Sequence, residues 1–138
     1  MSNFSVHSRA AHSAHDVTVH VLDLEGELDA HTASDLEAAF EQCRAEDHHR
    51  IIVNGADLDY ISSAGLGVFM AYVEDVREAG GDIKIANLKP KVYNVFDLLG
   101  FPMLFDIEDT EEEALARFEE NAEDAPEPSD APGENRIA

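Results

Sequence analysis

Several residue types are scarce in this chain, and each scarcity excludes something. Cysteine occurs once, at Cys43, so neither an intrachain disulfide nor a cysteine-built zinc site can form. Lysine occurs three times, at Lys84, Lys89 and Lys91, and tryptophan not at all. No apolar run approaches the roughly 18 residues of a membrane-spanning helix. The start, MSNFSVHSRA, lacks the charged opening and apolar stretch of a secretory signal. These features lead us to expect a cytoplasmic protein with no membrane partner.

Acid, by contrast, is abundant. The 138 residues hold 30 acids against 9 basic residues, a formal charge of −21. Glu119–Ala138 accounts for −6, which leaves −15 for Met1–Phe118. Such a surface repels nucleic acid and favours a partner with a basic face. It also suits a saline cytoplasm, where dense carboxylates keep a protein soluble.

The length suits one domain with its own core. We expect that domain over residues 1–120 and an acidic, disordered tail over 121–138. From Ala122 on, the run AEDAPEPSDAPGENRIA is too poor in apolar residues to offset the entropy of ordering.

Before the tail, strand and helix signals alternate. Asp16–Glu25 sets Val17, Val19 and Val21 on alternate positions, which predicts a strand, with a shorter edge strand at Phe4–Ser8. His31–Glu46 carries Leu36, Phe40 and Cys43 at helical spacing, with Thr32 and Asp35 spaced as a capping box. Arg50–Asn54 predicts a short apolar strand. Ser63–Ala79 predicts an amphipathic helix with Leu66, Phe69, Met70, Val73 and Val76 inward, closed by Gly80-Gly81. Asp82–Ala86 predicts a strand, Lys89–Leu99 a helix with Pro90 near its start, and Phe105–Ile107 a brief strand. Thr110 and Glu113 cap a last helix ending near Phe118. The fold class is therefore α/β, with a mostly parallel sheet of about five strands covered by about four helices.

The run from Asp57 to Gly67, DLDYISSAGLG, lies between a strand and a helix, where α/β sheets present their sites. Ser62 and Ser63 fall at the expected helix start. Serine there is a common cap, and the same place accepts a phosphate because open N–H groups and the helix dipole favour negative charge. Gly65 and Gly67 would let another backbone approach. Spacing alone leaves plain capping ahead of a switch.

Two motifs carry a resemblance: Gly26-Glu27-Leu28-Asp29, and Leu58-Asp59-Tyr60-Ile61-Ser62-Ser63-Ala64-Gly65-Leu66. Asn87-Leu88-Lys89-Pro90 and Val95-Phe96-Asp97-Leu98-Leu99-Gly100 follow in the matching order. The chain resembles STAS domains of the bacterial anti-sigma-factor antagonist type. The resemblance implies partner switching: a serine-kinase anti-sigma factor phosphorylates one loop serine, the unmodified antagonist binds that kinase, and a phosphatase resets it. The family position falls on Ser63, with Ser62 the neighbouring hydroxyl. The same resemblance puts Asp29 beside the loop and makes Asp29, Asp59, Ile61, Ser62, Ala64, Gly65 and Leu66 the expected partner-binding residues.

Catalysis finds less support. No Gly-x-Ser-x-Gly elbow is present, and Ser-Ser-Ala-Gly-Leu-Gly lacks the Lys and Ser/Thr of a phosphate loop. His12-x-x-His15 and His48-His49 fall in or near turns and read as solvated histidines, not metal ligands. Cys43 reads as core, and Glu111–Glu113 as acids suited to a helix N-terminus. We expect no metal, no cofactor and no enzyme activity. The alternative within the same fold is a scaffold member, unphosphorylated, in a sensor or transporter-associated complex.

Overall fold

In a computed structural model, which describes residues 3–124, the strands are β1 (Phe4–His12), β2 (Thr18–Leu28), β3 (Arg50–Ile61), β4 (Asp82–Ala86) and β5 (Ile107–Glu108). The helices are α1 (Ala33–Ala45), α2 (Ser63–Glu78), α3 (Pro90–Leu98) and α4 (Glu111–Asp124), with a 3₁₀ turn at Phe101–Met103. The strands line up in sequence order, with β1 antiparallel to β2 and every later neighbour parallel. The element order matches the alternation of the sequence.

Strand alternation gives the sheet two apolar faces. Leu22, Leu24, Ile51, Val53, Ile83 and Ile85 face one side, where they meet Leu36, Phe40, Phe69, Val73 and Phe96 of α1, α2 and α3. Phe69 sits edge-on to both Phe40 and Phe96, with centroids 5.9 and 5.7 Å away. On the other side Val19, Val21, Ile52 and Ala86 pack against Ala114 and Phe118 of α4. Lys84 points into this second layer and is wholly buried. Its ammonium bonds Asp106 at 2.6 Å and Asp82 at 3.0 Å and lies 4.7 Å over the Phe118 ring.

Several features differ from the expectation. β1 continues past Ser8 to His12, because its polar residues pair register by register with β2. β3 continues past Asn54 to Ile61, so Asp57–Tyr60 belong to a strand and not to a loop. The Thr32–Asp35 capping box does not form: the Thr32 hydroxyl donates to the Glu27 carbonyl at 2.8 Å. Helix α4 passes Phe118 and reaches Asp124, so it crosses the expected start of the tail; the rest of that tail lies outside the described residues. The Thr110–Glu113 box forms reciprocally, at 3.1 and 3.2 Å. Cys43 is buried in the main core, and burial pushes its thiol up to about 11.

Candidate functional site

The site is built by the upper ends of β2 and β3. Beyond Asp23 the two strands slip register twice, and Glu25, Gly26, Glu27 and Leu28 face Asp57, Leu58, Tyr60 and Ile61. Gly26 makes this possible. Its φ is +102°, and a Cβ there would lie 1.7 Å from the Asn3 carbonyl oxygen. At the end of the ladder the Ser62 N–H donates to the Leu28 carbonyl at 2.9 Å. Ser62 is extended, its carbonyl accepts the Leu66 N–H at 3.1 Å, and α2 begins at Ser63.

The two serines are not equivalent. The Ser62 Oγ is buried and has no partner, and it does not cap the helix. Ser63 is exposed at the first helical position, where the first-turn N–H groups have no carbonyl within the helix to bond. A phosphate on Ser63 would meet that positive end of a 16-residue helix.

Beneath them the packing is tight. A Cβ on Gly65 would come 2.7 Å from Leu28 and 3.0 Å from Ile61, so glycine lets α2 sit on the end of β2. Gly67 faces open space and leaves bare backbone on the outer face. Ile61, Gly65 and Leu66, expected to touch a partner, are buried and shape the site from below. Ala64 is half-buried and Asp59 exposed.

The two acids expected at the partner surface, Asp29 and Asp59, each have a partner within the chain. One Asp29 carboxylate oxygen accepts the N–H groups of His31 and Thr32, at 2.9 and 3.2 Å, and so closes the turn into α1. The Leu28–Ser62 bond brings this turn beside the start of α2, but the carboxylate is engaged by its own backbone and not by either serine. Asp59 pairs with Lys89 at 2.5 Å, and that hydrogen bond and charge hold its carboxyl below the usual range. Before any modification the surface is thus partly neutralised.

Two residues not expected from the sequence complete the surface. Tyr60 is 50% exposed beside Asp59, and Met70 is 46% exposed on α2 instead of lying in the core. Ser63, Gly67, Met70 and Ala71 follow one another at helical spacing along the outer face, which carries no charge until Glu74.

A model of the STAS domain matches residues 11–114, which takes in the whole sheet from the end of β1 and the start of α2. The chain belongs to the STAS domain family. Among its relatives, BtrV of Bordetella bronchiseptica, named as a candidate anti-sigma factor antagonist, is 34% identical over 95 residues, covering 69% of this chain and 82% of the relative. The anti-sigma F factor antagonist of Paenibacillus polymyxa is 28% identical over 76% of this chain and 91% of its own length. Among solved structures, a Mycobacterium paratuberculosis anti-sigma factor antagonist shares this STAS fold with a TM-score of 0.69 at 22% identity, covering 82% of this chain and 93% of that one. SpoIIAA in its unphosphorylated form has a TM-score of 0.62 at 24% identity, covering 83% and 98% of the two chains. Among the described residues no helix is long and apolar enough to cross a membrane.

Proposed function

We propose that this STAS protein is a cytoplasmic anti-sigma-factor antagonist, a binding module that docks a serine-kinase anti-sigma factor on the start of α2 and is switched off by phosphate on Ser63. The observation that carries the reading is the inequality of the two serines. Ser63 is exposed at an open helix start, whereas the Ser62 hydroxyl is buried. A kinase can reach only the first without unfolding the turn. Kinship with proteins named as anti-sigma factor antagonists supports the role.

The chemistry is one phosphoryl transfer: the Ser63 Oγ bonds to the γ-phosphorus of ATP, ADP leaves, and the hydroxyl proton goes to a base of the kinase. The unmodified surface offers Ser63, Gly67, Met70 and Tyr60, small or apolar groups on which a partner can close and exclude water. A phosphate brings about −1.5 to −2 charges onto that surface. The chain already carries −21 and has few basic side chains with which to neutralise it. The partner is expelled because it loses a desolvated contact and gains buried charge. A cognate phosphatase restores the binding form.

Incubation with the co-encoded serine-kinase anti-sigma factor and ATP, followed by phosphopeptide mapping, tests the assignment. One phosphate on Ser63 is expected, and none on the Ser63→Ala variant. Modification of Ser62, or undiminished modification of Ser63→Ala, overturns it.

A further inference from the structure

We propose that the end of α3 and the turn after it form a docking surface for a second copy of this chain, the two pairing through exposed apolar side chains. Leu98, Leu99, Met103 and Leu104 are 84%, 57%, 91% and 45% exposed. Neither core layer includes them. Single exposed leucines are ordinary, but four large apolar side chains within seven residues form a patch of the kind that marks an interaction site.

The local fold explains why the domain does not cover them itself. Gly100 ends α3 in the left-handed region, at φ +78°, and the 3₁₀ turn Phe101–Met103 follows. The turn sends its aromatic ring inward: Phe101 sits edge-on to Phe96 at 5.3 Å and stacks on Phe105 at 5.2 Å. Arg77 of α2 braces the turn. Its guanidinium donates to the Leu104 carbonyl at 2.5 Å and lies 5.5 Å from the centre of the Phe105 ring. The leucines and Met103 are thus held outward on a preformed turn, so pairing needs little ordering of the backbone.

Charge and area choose the occupant. Leu98–Phe105 is eight residues without a charge. Behind it Arg77 pairs with Asp82, and Lys84 with Asp82 and Asp106, so those charges are matched. A basic partner is drawn by carboxylates, and the patch itself offers none. A second copy brings a matching apolar patch, and two such patches close around a twofold axis. What opposes the pairing is the acid of a chain of −21, including the exposed Asp97 and Glu78 at this end, and salt screens it. Four side chains this exposed present apolar surface of the order of the largest patch on an ordinary monomer, about 300–600 Å². Two of them together come to roughly 1,000 Å², the lower limit for a specific interface, so the dimer is a weak one. Arg77 lies 14 residues along α2 from Ser63, about 20 Å away. Both switch surfaces therefore stay open in the pair.

Sedimentation equilibrium of the full chain tests this from about 0.1 M to about 1 M KCl, over which the screening length falls from about 10 Å to about 3 Å. The dimer dissociation constant should fall about tenfold over that range as the acids are screened. The double variant Leu98→Ser, Met103→Ser should be monomeric throughout with a nearly unchanged melting temperature, because both side chains already lie in solvent. Met70→Ser, on the switch face, should dimerise like the parent. A parent chain still monomeric at about 1 mM in about 1 M KCl overturns the proposal. So does a dimer that the double variant leaves intact, or one that Met70→Ser dissociates. Protection of the Leu98–Leu104 amides that appears only when the anti-sigma factor is added makes the occupant a different protein. Dimerisation that appears only after residues 125–138 are removed makes that segment the occupant. Either result overturns the proposal as well.

Discussion

The Ser62 N–H donates to the Leu28 carbonyl at 2.9 Å, and that bond joins the end of β2 to the first residue before α2. It holds the serine pair in one orientation, with one hydroxyl turned in and one turned out.

A first expectation concerns the buried hydroxyl. The Ser62 Oγ has no partner and does not cap α2. Ser62→Ala therefore removes an unsatisfied polar atom, and stability should stay level or rise by up to about 1 kcal/mol. The loss of about 1 kcal/mol typical of a removed serine cap should not appear. Urea denaturation of the variant measures this, and phosphorylation of Ser63 should persist in it.

Asp29 should separate into two roles. Its carboxylate oxygen accepts the His31 and Thr32 N–H groups, an acceptor that asparagine also supplies. Asp29→Asn should leave the melting temperature nearly unchanged, whereas Asp29→Ala should cost about 1 kcal/mol. Any loss of kinase affinity in Asp29→Asn then reports charge alone. Equal destabilisation by both variants would show that the carboxylate charge, not the turn, matters.

The buried ion pair under α4 should be expensive to break from one side. Asp106→Ala leaves the fully buried Lys84 ammonium with Asp82 alone and frees Arg117. A loss of about 3 kcal/mol or more is expected. Lys84→Met keeps the volume and removes the charge, and should cost less. Denaturant midpoints of the two variants decide the order.

Stability should fall in two separate acid windows. Burial, and then the charge of His48 stacked 4.4 Å away, hold the His20 imidazole below its ordinary value, with Glu46 opposing. The unfolded chain then takes up the proton first, so stability declines as pH drops below about 6.5 and stops declining below the folded value. For Asp106, burial pushes the carboxyl up, but hydrogen bonds from Arg117 and Lys84 outweigh it and hold the group below the usual range. Its contribution is complete above about pH 4 and is lost as pH falls through the folded value. Melting temperatures against pH should show both slopes. His20→Gln should flatten the upper one only, and Asp106→Asn the lower one only.

Much of this fold was legible in the sequence because helical and strand periods are local. The inward positions of α1, the Thr110–Glu113 box and the alternating valines of β2 all follow from spacing. Polar strands were harder. Asp57–Tyr60 reads as a loop because its acids hide the pairing with β2, and Ala10–His12 has no apolar residue large enough to mark β1. Met70 fits the apolar spacing of α2, yet it lies at the margin of that stripe and is 46% exposed. Nor does anything local show that Lys84 is buried, since its partner Asp106 lies 22 residues away. At the site, Ser63 was legible as a position. The contrast with Ser62 depends on which way two neighbouring hydroxyls turn, and that is set by the Leu28–Ser62 bond between distant strands.

The central claim rests on the charge of one side chain at the start of α2. Calorimetric titration of Ser63→Ala and Ser63→Asp against the same serine-kinase anti-sigma factor measures it directly. A carboxylate carries about one charge, against nearly two on a phosphate, so the mimic is partial. Ser63→Ala should keep the parent affinity, and Ser63→Asp should lose at least about tenfold, or about 1.4 kcal/mol. Equal affinities for the two variants would contradict the account and place the docking surface away from Ser63.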